Sequence, residues 1–203
     1  MSGFFAKLLS RGADRQLNEL RAITDKVGSL EPTFQAMQDS ELKAQTALFK
    51  ERYAKDSFMK NLLLDNLLLV DIYSRAKKLH IVSDAQRVVL IVETGQERDR
   101  NVLEVVQEFI GTTTMDFVTA VDEYNVVVVK DLTDGSRIRD IEKTANAIDA
   151  HLRKVGISGV RIVYGTVVGE IKEVSRSYKE ARMALNVGKI FFAERSVIAY
   201  SSL

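Results

Sequence analysis

Two adjacent carboxylates, Asp122 and Glu123, lie in a tight turn between two short runs of β-forming residues. The runs cover residues 112–119 and 125–130, and the turn reads Ala120-Val121-Asp122-Glu123-Tyr124. Carboxylate oxygens are ligands that Mg²⁺ prefers, so this pair could hold a divalent cation. Acidic residues are also common in turns because their side chains bond the local backbone. We favour the second interpretation.

The remaining candidate nucleophiles and bases lack the partners that catalysis needs. His80 and His151 are the only histidines, they lie far apart, and neither belongs to a cluster with metal-ligand spacing. We expect both to pack at or on helices. Ser175, Ser177 and Tyr178 follow no glycine elbow, so we interpret them as packing residues on a helix.

Two further segments could bind anions, and simpler explanations cover both. Gly165 and Gly169 flank a strand-to-helix turn, but the residues between them do not form a phosphate loop. Residues 97–100 alternate acid and base, which is typical of a salt-bridged helix start. The chain has no cysteine, which excludes disulfides, cysteine nucleophiles and thiolate metal sites. We therefore assign no catalytic, cofactor-binding or metal-ligating residue and expect no cofactor.

The composition is that of a globular chain with little net charge. The 203 residues are 46% hydrophobic and 28% charged, with a net charge of +1, so the basic excess of a duplex-binding protein is missing. The longest apolar run, residues 62–70, is interrupted by Asp65 and Asn66 and is too short to span a bilayer. Residues 1–10 lack the long apolar core of a secretion signal. We expect a cytoplasmic protein.

Residues 4–54 predict a helical segment without strands. Apolar side chains recur at helical spacing at 17, 20, 23 and 27, and Gly28-Ser29 with Pro32 predict that this helix stops there. Asp39 or Ser40 could cap a second helix. The pattern changes near residue 55, where Asp56-Ser57 predicts the cap of a leucine-rich helix and Asp71 the start of another. We therefore expect two domains, residues 1–55 and 56–203.

The second domain alternates strands with amphipathic helices. The β-branched run 87–92 predicts a strand buried on both faces. The predicted elements that follow are a helix at 97–110, the hairpin, a helix at 137–155, a strand at 160–164, a helix at 171–185 closed by Gly188, and an edge strand at 196–200. This β-α-β-β-α-β order with an added α-β predicts an α+β, ferredoxin-like fold with helices on one face of the sheet.

Four stretches of this domain carry a family resemblance. Ser-Phe-Met-Lys-Asn-Leu-Leu-Leu at 57–64 and Ala-Lys-Lys-Leu-His-Ile at 76–81 precede the first strand. Arg-Ile-Val-Tyr-Gly at 161–165 then precedes Ser-Arg-Ser-Tyr-Lys-Glu-Ala at 175–181. With these stretches the chain from Asp56 onward, nearly three quarters of it, resembles the GGDEF-like domain of CdaR/PucR-type transcriptional regulators.

This resemblance implies a degenerate relative of the diguanylate cyclases. In active cyclases two glycines precede Asp-Glu-Phe in the hairpin turn, whereas Ala120 and Val121 stand here before Asp122, Glu123 and Tyr124. The acidic partner at the end of the first strand would be Glu93, which we otherwise interpret as a solvated strand end. A β-branched valine is costly at positive φ, and its side chain intrudes on a nucleotide. The resemblance therefore implies a domain without cyclase activity.

The first domain resembles a different family. Leu30-Glu31-Pro32, followed by Asp-Ser-Glu-Leu-Lys-Ala at 39–44, is similar to the N-terminal helices of SecA, the preprotein translocase ATPase. The G-x-x-x-x-G-K-[ST] loop that an ATPase needs is absent from this sequence. Two such pieces meeting near Lys55 and Asp56 indicate a fusion, which could be natural or engineered.

Our leading hypothesis is a non-catalytic regulatory or dimerisation domain of a CdaR/PucR-type regulator. DNA binding would require a helix-turn-helix, which the resemblance places after residue 203. The leucines at 62–64 and 67–69 exceed what one helix face needs, so we expect them to cover a partner subunit in a homodimer, or to make intramolecular contacts. Two alternatives stay open. They are GTP binding with or without residual cyclase activity, and a SecA-related role in protein export.

Overall fold

The computed structural model describes residues 17, 20, 21, 23–95, 102–111, 115–132 and 138–203. The chain divides into two compact units, Met1–Lys50 and Glu51–Leu203. The domain boundary predicted near residue 55 stays a prediction. Within the described ranges, no helix combines the length and the apolarity needed to cross a bilayer.

The first unit is helical, and its first helix does not stop where the sequence predicted. Helix α1 runs continuously over residues 23–35, so Gly28, Ser29 and Pro32 all lie inside it. Proline removes one helical N–H, whose acceptor would be the Gly28 carbonyl. Both residues are exposed, so water can solvate that carbonyl. The predicted stop was wrong because an exposed helix tolerates the loss of one hydrogen bond.

Helix α2 spans Asp39–Leu63 and joins two segments that the sequence predicted as separate helices. The cap predicted for each of those helices was wrong. The backbone N–H of Gln38 donates to Glu41 Oε2 at 2.8 Å, which is half of a capping box and makes Gln38 the cap in place of Asp39 or Ser40. Asp56, predicted to begin a helix, lies inside α2. Its Oδ1 accepts a hydrogen bond of 2.5 Å from the buried Thr119 hydroxyl. Its carboxylate therefore serves a tertiary contact and caps no helix.

The second unit is an α+β domain with a five-stranded mixed sheet, which confirms the predicted fold class. Its strands are β1 (Arg87–Glu93), β2 (Phe117–Ala120), β3 (Asn125–Asp131), β4 (Arg161–Tyr164) and β5 (Val197–Ala199). Their order across the sheet is β2-β3-β1-β4-β5. Neighbours pair antiparallel except β4 and β5, which are parallel and joined through a helix.

Four helices complete this unit. They are α3 (Leu69–Lys78), α4 (Val102–Ile110), α5 (Ile138–Lys154) and α6 (Val174–Phe191), the last preceded by a 3-10 turn at Ile171–Glu173. Gly188 does not end α6, as the sequence predicted. It lies buried inside the helix, where an added Cβ would be 2.5 Å from Ile198 Cδ1, so glycine there permits close packing on β5.

Helices cover both faces of the sheet, which corrects the expected one-sided arrangement. Alternate residues of β1 enter two separate cores. Val89 and Ile91 pack with α2, α3 and α6, whereas Val88 and Leu90 pack with α4 and α5. The continuous apolar run of β1 is what a two-sided sheet requires, and its predicted burial on both faces is confirmed.

The leucine groups expected at a partner subunit divide between the core and the surface. Leu62 and Leu63 are fully buried in the core of their own domain, so the sequence prediction was wrong for them. Leu64, Leu68 and Leu69 are exposed. The last turn of α2 and the exposed residues up to the start of α3 therefore share one leucine-rich stretch of sequence.

Helix α6 approaches the sheet at a position that only glycine can occupy. A Cβ added to Gly165, just after β4, would overlap the backbone carbonyl of Ser177. The buried Ser177 hydroxyl donates to the Thr166 carbonyl at 2.8 Å and accepts from the Val89 N–H at 3.1 Å. Glu180 Oε2 accepts from the Thr166 N–H at 2.8 Å. The glycine and the Ser-Tyr-x-Glu-Ala segment thus hold α6 close against the sheet.

Replacing Gly165 by Ala should destabilise the domain by about 2–4 kcal/mol, since the new methyl displaces Ser177 and its two hydrogen bonds. Urea unfolding followed by circular dichroism measures the change. Gly169→Ala is the matched control, because nothing lies within 4 Å of a Cβ there, and it should change stability by less than about 1 kcal/mol. Equal effects of the two substitutions would contradict the docking role of Gly165.

Candidate functional site

The turn between β2 and β3 is organised by Asp122. Its Oδ1 accepts hydrogen bonds from the backbone N–H groups of Tyr124 and Asn125, at 2.8 and 2.9 Å. Both of its carboxylate oxygens also accept from Asn125 Nδ2 at 2.9 Å. The interpretation of Asp122 as a turn residue is therefore confirmed, since both oxygens already have local donors.

The backbone of this turn does not need glycine. Among the non-glycine residues that the structure describes, only Asp65 and His80 have positive φ, so Ala120 and Val121 lie in ordinary conformations. The Val121 N–H donates to the Asn125 carbonyl at 3.1 Å, and its side chain packs against the core. The expected strain of a β-branched residue is thus avoided, and the valine side chain gains apolar contacts.

Glu93, the last residue of β1, differs from the solvated strand end that we predicted. Its side chain is half-buried and forms ion pairs with Lys189 of α6 and with Arg161 of β4, the latter at 4.0 Å. Arg161 is also its direct cross-strand partner. Opposite charges at this spacing attract each other, so the Glu93 carboxylate is occupied by these two cations. Tertiary packing of α6 supplies the lysine.

The end of β1 and the hairpin turn form one connected edge. The Thr94 N–H donates to the Tyr124 carbonyl at 2.9 Å, and the Thr94 hydroxyl donates to the same oxygen at 3.2 Å. Glu123 is exposed on this turn. In the described part of the chain, no group of three or more His, Cys, Asp or Glu side chains is placed to hold a metal ion.

The other candidate side chains have structural surroundings. His151 packs its ring against Phe109, with ring centroids 5.0 Å apart, and His80 follows the end of α3 on the surface. Ser175 and Tyr178 are buried on α6, and burial raises the pKa of the Tyr178 phenol. The packing interpretation of these residues is confirmed. Residues 97–100, predicted to begin a helix, lie outside the described residues.

A comparison with family models identifies the second unit. The model of the GGDEF-like domain matches residues 66–187, which is more than half of the chain. The chain belongs to the GGDEF-like domain family. The matched region contains β1 through most of α6, and therefore the turn, Glu93 and the Gly165–Ser177 contact.

About a third of the chain is also similar to a protein of another kind. The chain is 37% identical over 70 residues to the protein translocase subunit SecA of Roseiflexus sp. (strain RS-1), covering 34% of this chain and 7% of that protein. It is 41% identical over 63 residues to SecA of Trichlorobacter lovleyi, covering 31% and 7%. The chain thus spans only about 7% of the length of these curated relatives.

Sequence reasoning missed the cations that hold Glu93 in the GGDEF-like domain. Arg161 could have been found, because pairing the predicted strands 87–92 and 160–164 antiparallel places an arginine near the acidic strand end. Lys189 could not, since it lies beyond the predicted end of its helix. Its position depends on how closely α6 packs on the sheet.

Removing the Asp122 carboxylate should lower the stability of the domain. We expect Asp122→Ala to cost about 1–2 kcal/mol in urea unfolding, because two backbone N–H groups lose their acceptor. Asp122→Asn is the matched control and should cost less, since the amide oxygen still accepts. If Asp122→Ala were neutral, or if millimolar Mg²⁺ stabilised the wild type and not the variant, the structural role would be contradicted.

Proposed function

We propose that this chain is a non-catalytic regulatory domain of a CdaR/PucR-type transcriptional regulator, in which the GGDEF-like fold is used for contacts and not for turnover. The proposal rests on the ion pairs and hydrogen bonds that two acidic residues, Glu93 and Asp122, already make. Glu93 is paired with Lys189 and Arg161, and Asp122 accepts four hydrogen bonds from its own turn. Neither carboxylate is presented to a metal-bound nucleotide.

The shape of the turn supports the same proposal. A nucleotide phosphate seated on a turn needs a close approach to the backbone, which glycine permits. Val121 packs its side chain against the core at this point, and Ala120 adds a methyl group. The Lys189–Glu93 pair would also have to separate before Glu93 could ligand a cation, at a cost that Mg²⁺ binding would need to offset.

The regulator assignment rests on the sequence stretches that surround this edge. The glycine and the Ser-Tyr-x-Glu-Ala element of these stretches have a packing role here, as we expect for a domain that acts through contacts and not through catalysis. We propose that DNA contact belongs to a helix-turn-helix module of the regulator, in keeping with the near-neutral charge of these 203 residues.

The proposal excludes turnover, and a nucleotide assay tests it. Incubation of the chain with GTP and Mg²⁺ should yield no cyclic dinucleotide above the level of the heat-denatured protein. The comparison variant is Glu123→Gln, which keeps the shape of the exposed turn residue and removes its charge. Any product that disappears in this variant would contradict the proposal and favour residual diguanylate cyclase activity.

Similarity to SecA supports an alternative role in protein export, which we rank lower. The similar stretch covers about 7% of SecA, and the phosphate-binding loop of the ATPase does not occur in this sequence. We therefore propose no translocase activity for these residues.

The regulatory role includes self-association, for which one surface is suitable. Three consecutive apolar residues, Leu68, Leu69 and Val70, are 75%, 56% and 80% exposed, and Leu64 lies nearby in sequence and is also exposed. Exposed runs of this kind usually serve an interface. A net charge of +1 gives two copies little mutual repulsion. We propose that a second copy of the chain covers this surface.

Sedimentation velocity tests the self-association. The wild type should form dimers at micromolar concentrations, and Val70→Glu should shift it to monomer, because a buried unpaired carboxylate is strongly unfavourable. Ile190→Glu, at a residue of α6 that is 72% exposed, is the matched control and should leave the dimer intact. A wild type that stays monomeric at high concentration would contradict the proposal.

A further inference from the structure

The first unit presents an apolar stripe that the described part of the chain leaves exposed. The helix here is described at residues 17, 20 and 21 and over 23–35. Its apolar side chains recur at alternating steps of three and four residues, and we call this set the seam: Leu20, Ile23, Val27, Leu30 and Phe34. The first four are 61%, 60%, 63% and 48% exposed, and the last is half-buried. Single exposed leucines are ordinary, whereas a continuous apolar stripe marks an interaction surface.

The spacing of the seam is that of a coiled coil. Steps of three, four, three and four residues place its first, third and fifth members at the a positions of a seven-residue repeat and the other two at the d positions. Two residues that disfavour a helix, Gly28 and Pro32, take the b and f positions, on the outer side of the repeat. The seam itself therefore consists only of apolar residues that a second helix can pack against.

The next helix of the same unit does not cover the seam. Only residues 36–38 separate α1 from α2. The apolar residues in the first part of α2 are themselves exposed, with Leu42, Leu48 and Phe49 at 38%, 51% and 50%. Two helices that packed through their apolar stripes would each bury them. The seam therefore needs an occupant other than α2.

The charge of this helix favours a protein partner over a lipid surface. In residues 20–35 two side chains are basic and two are acidic, so the net charge is zero. They are Arg21, Lys26, Asp25 and Glu31. Helices that lie on membranes are usually rich in Lys and Arg on the polar face, because anionic lipids attract these residues. A polar face without net charge gives a lipid surface no such attraction.

The charges that flank the seam fit a second copy of the same helix in parallel orientation. In the seven-residue repeat, Lys26 takes a g position and Glu31 takes the following e position. In a parallel pair, a g side chain faces the e side chain five residues later on the other helix, so Lys26 of each copy faces Glu31 of the other. In an antiparallel pair g faces g and e faces e, which can bring like charges together. The helix is thus complementary to itself in the parallel orientation.

From this spacing and these charges, we propose that the seam pairs in parallel with the seam of a second copy, as a two-stranded coiled coil. The seam lies in the first unit and Val70 in the second, so this pairing goes beyond the function proposed above and does not depend on it. The described seam is about two repeats long, and helices of this length are marginal by themselves. We therefore expect the seam alone to pair with a Kd above about 0.1 mM, so Val70→Glu stays monomeric at micromolar concentrations.

Cysteine cross-linking of the full chain tests the pairing. The chain has no cysteine, so an introduced cysteine is its only thiol. Val27→Cys places that thiol at an a position, where two parallel helices bring the side chains within disulfide reach. At concentrations near the expected Kd, mild oxidation should link this variant at least about tenfold faster than Asp25→Cys, the matched control at an f position on the same helix. Both variants are made in the Val70→Glu background, so association through the second unit does not contribute.

Two further comparisons test the orientation and the charges. Ile23→Cys should cross-link about as readily as Val27→Cys, because each residue of a parallel seam meets its own counterpart. Lys26→Glu should slow the cross-linking of Val27→Cys about two- to fivefold, because two glutamates then face each other, and the added Glu31→Lys should restore the rate. A merely unfolded helix would not recover in this double variant.

Three outcomes overturn the proposal. They are equal cross-linking rates for Val27→Cys and Asp25→Cys, cross-linking at Val27→Cys without cross-linking at Ile23→Cys, and no recovery in the charge-swapped double variant. If the first of these occurs, flotation with vesicles of anionic lipid, compared between the wild type and Val27→Glu, decides whether a lipid surface covers the seam instead.

Discussion

The close approach of α6 to the sheet at Gly165 and Ser177 is the constraint on which the rest of the domain depends. A single missing Cβ allows the Ser177 hydroxyl to bond Val89 of β1 and Thr166, which follows β4. The helix is then held at a fixed height over β1 and β4. From that position its distal part carries Lys189 to the Glu93 carboxylate. One steric contact thus determines both the core and the electrostatics of the candidate site.

The hairpin turn forms with Ala120 and Val121 in ordinary backbone conformations and does not require glycine. The Asp122 carboxylate accepts hydrogen bonds from the backbone that follows it, and the Val121 side chain packs against the core. Both residues stabilise the folded turn. We propose that they also take the place that a nucleotide phosphate would need, so that the atoms of this turn serve stability and not nucleotide chemistry.

The local sequence pattern predicted most of the helices and strands. Long-range packing determined the features that this pattern did not predict. The apolar run of β1 correctly indicated burial on both faces, and the alternation around residues 117–131 located the hairpin. Residues that usually mark helix ends gave wrong predictions where tertiary contacts determine the structure. Gly188 marks close packing, not a helix end, and Asp56 bonds Thr119, which is 63 residues away. Of the two cations beside Glu93, Lys189 follows only from three-dimensional placement, because it lies beyond the predicted end of its helix.

A crystal structure of the chain grown with GTP and Mg²⁺ would show whether this turn can hold a nucleotide. We expect a turn free of nucleotide, with Asp122 still bonded to the backbone of Tyr124 and Asn125, and with Glu93 still paired with Lys189. A guanine nucleotide seated against Ala120 and Val121, with a divalent ion on a released Glu93, would contradict it.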